Sequence, residues 1–244
     1  MIRGAVFDLD GVLLDSMAVW NDLGARYLLK QGIQPQSGLR DILFSMSMEQ
    51  GAEYMKEQYL LNKTSKEILD GIQEMLQDFY FYEVRAKEGA KELLNFLHEK
   101  GIPMMAATSS PREHVTRALK RNGLYDFLKK VDTTSEVGES KHSPLIYRLA
   151  AESMGTKPEE TLVFEDSLYA LRTARQAGFR AVGVYDSEGE TNQAGVKETG
   201  EVYLKNLMEF PAYFEKLNAD KHSPASSARS TKQWVRGDAY VSGS

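Results

Sequence analysis

Near the start of the chain an apolar run, Ala5-Val6-Phe7, ends in Asp8-Leu9-Asp10-Gly11. In an extended strand, residues i and i+2 point to the same face. Asp8 and Asp10 therefore project together from one strand end into one small space. Two like charges that close repel unless a cation or a shared proton sits between them. The chemistry this spacing suggests is a carboxylate nucleophile beside an acid/base, held by Mg²⁺. A strand that simply ends in a polar turn uses the same residue types. A calcium loop fits less well. Starting at Asp8 it would need Glu at its twelfth position, where the chain has Val19. It would also need a preceding helix, and only seven residues stand before Asp8.

Two more strand ends carry unusual residues. Ile102 to Ala107 reads as an apolar strand followed by Thr108-Ser109-Ser110-Pro111. Thr161 to Phe164 reads as a short buried strand ending in Glu165-Asp166. In parallel α/β sheets the crevice lies at the carboxyl ends of the strands. All three pairs, Asp8/Asp10, Thr108/Ser109 and Glu165/Asp166, are then expected on one edge. Carboxylates from two strands can hold Mg²⁺, which takes oxygen ligands in near-octahedral geometry. Hydroxyls and amides at the helix start after Thr108 suit an anion. Lys141, in the loop Gly138-Glu139-Ser140-Lys141-His142-Ser143-Pro144, is the candidate cation for phosphoryl oxygens.

The elements that must position these residues follow from periodicity. After Asp15 the pattern is helical, with Val19, Leu23, Tyr27 and Leu28 on one face. A second helical passage begins at Met46-Ser47-Met48 and runs through Ala52, Met55 and Tyr59. A third helix is expected over residues 65–82, with Ile68, Ile72, Met75, Leu76 and Phe79 as its buried stripe. No strand is apparent between Asp15 and Arg85, so residues 15–85 read as an inserted helical bundle. From Lys87 onward helices and strands alternate, with strands also at Arg180 to Val184 and, marginally, Glu201 to Leu204. Helices between consecutive strands imply a doubly wound parallel sheet covered on both faces. Residues 1–14 and 86–217 would form this α/β core. Residues 218–244 lack an apolar pattern and read as a mobile tail.

The whole-chain properties fit a cytoplasmic enzyme of small molecules. The 244 residues are 42% hydrophobic and 27% charged, with a net charge of −5. That charge gives no reason to expect nucleic acid or an anionic membrane as partner. There is no cysteine, which excludes disulfides, thiolate metal sites and cysteine nucleophiles. No secretory signal or membrane-spanning segment is visible.

Together the four segments resemble the motifs of the haloacid dehalogenase superfamily, closest to its β-phosphoglucomutase-like branch with a helical cap after the first strand. The residues carrying the likeness are the Asp8-to-Ser16 opening, Thr108-Ser109, Lys141 and Phe164-Glu165-Asp166-Ser167. The resemblance implies roles for them. Asp8 would attack phosphorus and form an aspartyl-phosphate. Asp10 would protonate the leaving oxygen, then activate water, and its backbone carbonyl would bind Mg²⁺. Thr108 would hold the phosphoryl group, with Gly11, Ser109 and Ser110 also on the substrate. Lys141 would neutralise charge on Asp8 and on the transferring group. Asp166 would bind Mg²⁺, and Glu165 would reach it directly or through water.

The chain departs from the mutase branch in three places. Trp20 stands where that branch has a histidine on the first cap helix. The cap loop Leu43-Phe44-Ser45-Met46-Ser47-Met48 has no positive charge for a second phosphate, and Pro111 replaces a lysine. These departures favour a phosphatase acting on a small phosphate monoester over a phosphomutase, with a non-catalytic binding module less favoured still. Trp20 is expected to contact the substrate, and a monomer or weak homodimer is the expected assembly.

Overall fold

The computed structural model describes residues 1–44 and 46–219. Most of the expected tail therefore lies outside the described residues. The core is a six-stranded parallel sheet in the order β3-β2-β1-β4-β5-β6. Its strands are β1 (Gly4–Phe7), β2 (Met104–Thr108), β3 (Val131–Thr133), β4 (Thr161–Glu165), β5 (Arg180–Val184) and β6 (Val202–Leu204). Four helices α1 (Met17–Lys30), α2 (Leu39–Phe44), α3 (Met48–Gln58) and α4 (Ser65–Asp78) follow β1 and form the cap. The remaining helices alternate with strands: α5 (Ala90–Glu99), α6 (Arg112–Arg121), α7 (Thr134–Val137), α8 (Leu145–Met154), α9 (Leu168–Gln176), α10 (Gln193–Thr199) and α11 (Phe210–Ala219). None of the described helices is long and apolar enough to cross a membrane.

The strand alternation decides the two faces of the sheet. On β1, Ala5 and Phe7 pack with Leu93, Leu94 and Leu97 of α5 on one side. Val6 joins Met105, Val163, Ile146 and Tyr147 on the other. Every residue of β1, β2 and β4 is buried, the mark of a parallel sheet covered on both faces. Phe7 and Phe164 pair in register across β1 and β4, their rings stacked at 4.5 Å. The chain moves outward one way through β2 and β3, then the other way through β4 to β6. That reversal between β1 and β4 opens a crevice at their carboxyl ends.

The cap leaves and rejoins the core at neighbouring points. The Asp15 amide donates to Arg85 O at 3.0 Å, and the Lys87 amide to Leu13 O at 2.9 Å. Helices α3 and α4 both begin in reciprocal capping boxes, Ser47/Gln50 and Thr64/Glu67. The single helix expected over 65–82 is two elements. Helix α4 stops at Asp78, and a π-helical turn spans Phe79–Glu83. Four successive aromatics, Phe79 to Tyr82, cannot all share one helical face. The wider turn sends Tyr80 fully inside. Strand β3 was not expected, since three residues are too few to show a period. Helix α11 was missed although Phe210, Phe214 and Leu217 are buried at helical spacing.

Phe164→Ala would remove the ring stacked on Phe7 directly beneath the crevice. Its expected cost is about 3–5 kcal/mol, read as a lower urea midpoint at unchanged slope.

Candidate active site

The register places the candidate site residues. Asp8 follows Phe7, and its amide continues the ladder to Phe164 O at 3.0 Å. Glu165 ends the adjacent strand β4, and Asp166 opens the turn into α9. The Asp8, Glu165 and Asp166 carboxylates offer oxygens that all lie within 4.8 Å of one another. All three are buried. Lys141 reaches the same place from the loop before α8. Its ammonium lies 2.6 Å from Asp8 Oδ1 and 2.7 Å from Glu165 Oε1, and Tyr147 also donates to Glu165 Oε1 at 2.7 Å. Glu165 Oε2 is buried with no hydrogen-bond partner among the described residues. An unmatched buried carboxylate oxygen beside two further carboxylates is the donor set of a hard divalent cation.

The electrostatics agree. Burial raises the Asp8 carboxyl well above its ordinary value, and the Glu165 and Asp166 charges add to that against the pull of Lys141. Burial, then Glu165, pushes Asp166 up to about 7. Burial works against the Lys141 charge, but Asp8 and Glu165 outweigh it, so its pKa rises and it stays an ammonium.

Asp10 stands apart from this group. Its Oδ1 accepts from Ser16 Oγ and from the Tyr80 hydroxyl, each at 2.6 Å, and its Oδ2 accepts from Ser110 Oγ at 2.6 Å. Its carboxylate is thus committed to hydroxyls. A cleft of about 490 Å³ joins Asp8, Asp10, Ser109, Ser110, Lys141 and Asp166 with Trp20 and Arg40 of the cap. Thr108 and Gly11 do not line it. Thr108 is buried, and its Oγ1 accepts the Ser110 amide at 3.0 Å, leaving its own O–H free to donate. Gly11 has φ +75°, and a Cβ there would collide with Asp166 Oδ2. Its requirement for glycine comes from that close approach.

Residues 2–178 match the family described as haloacid dehalogenase-like hydrolase. The chain belongs to the haloacid dehalogenase-like hydrolases. The phosphorylated carbohydrates phosphatase of Thermotoga maritima is 25% identical over 187 residues, 76% of this chain and 87% of the relative. The validoxylamine A 7'-phosphate phosphatase of Streptomyces hygroscopicus subsp. limoneus is 26% identical over 212 residues, 86% of this chain and 96% of the relative. A crystal structure from Thermotoga maritima described as a "putative beta-phosphoglucomutase" superposes with a TM-score of 0.77 at 24% identity, covering 88% of this chain and 99% of that one. That likeness shows the fold alone. The family match and the phosphatase relatives make the chain an enzyme, a phosphoric monoester hydrolase.

Within this haloacid dehalogenase-like hydrolase, several site residues escaped the sequence reading. Arg40, one turn before Leu43 on α2, brings a cation to the cleft although the loop after it has none. It lies 3.5 Å from Glu188, and Asn21 donates to the Glu188 carbonyl at 2.6 Å. Lys87 donates to Gly11 O at 2.5 Å, Tyr185 O at 2.7 Å and Asp186 Oδ2 at 2.7 Å. It ties the loop after β1 to the loop after β5. Asp186 had a signal, since it too follows an apolar strand. A second cavity of about 140 Å³ sits within the cap, between Leu23, Leu43, Met46, Met48, Met55 and Ile72, and shares Trp20, Asn21 and Arg40 with the cleft.

The raised Asp166 pKa gives a pH dependence with a definite sign. Burial, then the Glu165 charge, pushes the Asp166 carboxyl in the folded chain up to about 7 from an ordinary value of 3.8. The penalty for burying its charge is absent below about pH 4 and grows as pH rises towards about 7. A divalent cation held by Asp8, Glu165 and Asp166 would replace the proton and relieve that penalty. Metal-free protein should therefore melt lower at pH 8 than at pH 5, and added Mg²⁺ should raise Tm more at pH 8 than at pH 6. An equal or larger rise at pH 6 would remove Asp166 from the metal-binding group.

Proposed function

We propose that the chain is a Mg²⁺-dependent phosphatase that hydrolyses a small phosphate monoester through an aspartyl-phosphate on Asp8. The observation that carries this reading is the division of labour between two aspartates on one strand end. Asp8 faces an ammonium and two carboxylates, while the hydrogen-bond partners of the Asp10 carboxylate among the described residues are all hydroxyls. A carboxylate nucleophile must stay ionised beside an incoming phosphate, which a neighbouring ammonium favours, whereas an acid/base must exchange a proton.

In the first step an Asp8 oxygen bonds to phosphorus as the bond to the ester oxygen breaks. The departing oxygen keeps the electron pair and takes its proton from Asp10. In the second step Asp10 removes a proton from water as the water oxygen attacks phosphorus. Asp8 is released, and inorganic phosphate leaves. Asp8, Glu165, Asp166 and the Asp10 carbonyl would hold Mg²⁺, which supplies positive charge against the phosphoryl oxygens. Lys141 neutralises Asp8 from the other side. Thr108 and the Ser109 amide hold the phosphoryl group. Preorganised charge and position of this kind are most of what phosphoryl transfer requires. Trp20, Arg40 and the cavity beside them face the alcohol part of the ester.

Asp8→Asn keeps the side-chain shape and removes the nucleophile. It should fold normally and release no phosphate from any ester in a screen of sugar phosphates, nucleotides and cofactor phosphates. Turnover by wild type should vanish with EDTA and return with Mg²⁺ but not Ca²⁺, whose longer and more numerous bonds disturb in-line geometry. Interconversion of sugar phosphates without phosphate release would point to a mutase instead.

A further inference from the structure

Tyr80 belongs to the cap by sequence yet reaches the reacting centre. It sits in the π-helical turn Phe79–Glu83, and single π turns occur often at functional sites. Its side chain is fully buried. His114 stacks on its ring with centroids 5.5 Å apart, and Phe79 meets it edge-on at 5.6 Å, so the ring is packed on two sides. Tyr80 is absent from the residues lining the cleft. Any effect it has on the reaction must pass through a neighbour.

That neighbour is Asp10. The Trp20 indole N–H donates to the Tyr80 oxygen at 3.1 Å. Ser110 Oγ lies a longer 3.5 Å from the same hydroxyl, so the short contact takes the Tyr80 proton to Asp10 Oδ1, 2.6 Å away. Ser16 donates to the same oxygen. Oδ1 thus faces two donors. Among the described residues Oδ2 meets Ser110 alone, whose hydroxyl can rotate to donate to an anion or accept from an acid.

We propose that Tyr80 is a positioning residue that pins Oδ1 of Asp10, so that the proton used on the leaving group is carried by Oδ2. This rests on the acid/base role given to Asp10 above. In the transfer step Oδ2–H gives its proton to the bridging oxygen as the P–O bond breaks, leaving a neutral alcohol and an Asp10 carboxylate held by three hydroxyls. Pinning Oδ1 removes the alternative in which the proton sits on the wrong oxygen.

The test uses the full chain with Mg²⁺ and two esters of nearly equal shape, phenyl phosphate and 4-nitrophenyl phosphate. Nitrophenolate leaves readily without a proton, and phenolate needs one. The ratio of the two kcat/KM values in one preparation does not depend on the folded fraction. Tyr80→Phe should lower that ratio, phenyl over nitrophenyl, by about 10-fold or more, within the 10²–10⁴-fold reach of a positioned acid/base. Asp10→Asn should lower the ratio further. Adding Tyr80→Phe to Asp10→Asn should change it no more, because nothing is left to position. Equal losses on both esters in Tyr80→Phe would overturn the proposal and leave Tyr80 a packing residue. So would a ratio change that persists in the Asp10→Asn background. Failure of the underlying reading looks different: wild type would hydrolyse neither ester, or Asp10→Asn would match wild type.

Discussion

Three carboxylates, Asp8, Glu165 and Asp166, face one ammonium, Lys141, in a buried space at the end of a sheet. That charge imbalance is the constraint on which the rest of the structure depends. Removing one partner from a buried pair costs roughly 3–5 kcal/mol, a large share of the roughly 5–15 kcal/mol that holds a domain folded. The arrangement therefore survives only where the backbone around it cannot relax. A sheet buried on both faces and stiffened by the Phe7–Phe164 stack meets that condition. The Asp8 amide is still part of the ladder, and Glu165 is the last residue of its strand. Glu165 is wholly shielded from water, and the Asp8 carboxylate meets it only through the cleft.

The same constraint explains features that carry no chemistry of their own. Tyr147 rises from α8 to donate to the Glu165 oxygen that also meets Lys141, so one oxygen is doubly satisfied and the other is left for a cation. Gly11 keeps a side chain out of the path of Asp166. Lys87 draws the loops after β1 and β5 together through three acceptors, which holds the crevice walls at the strand reversal. Each contact serves the position of a charge.

How much of this was legible depended on whether the signal was local. Asp8-x-Asp10 and Glu165-Asp166 were readable because a two-residue strand period and an abrupt end to an apolar run are visible within a few residues. Lys141 was readable only in the company of the other segments, since a lone lysine in a polar loop has no pattern. The parallel sheet followed from alternating strands and helices, while β3 was too short to announce itself. Arg40 and Tyr80 were hidden for another reason. Arg40 reaches the cleft through the packing of α2, and no spacing in the sequence encodes that direction. Tyr80 lies in a run of four aromatics where a continued α-helix was the natural expectation. Its orientation comes from a π turn that periodicity could not show.

Asp10 is the site carboxylate held from both the cap and the sheet. Ser110 belongs to the turn after β2, Tyr80 to the end of the cap helices and Ser16 to the crossing between them. The charged group, in contrast, is built wholly from strand ends and the loop before α8. In the proposed reaction these two sets meet different demands. Phosphorus and its oxygens are the same in every monoester, so the residues that meet them gain from rigidity. The alcohol that leaves differs between substrates, and its need for a proton differs with it. Trp20 would join the two demands in one side chain: it lines the cleft, and its indole N–H donates to the hydroxyl that holds Asp10. In the proposed reaction, a change in what the cap contacts would reach Asp10 through these two hydrogen bonds, while Asp8 and Lys141 stay in place.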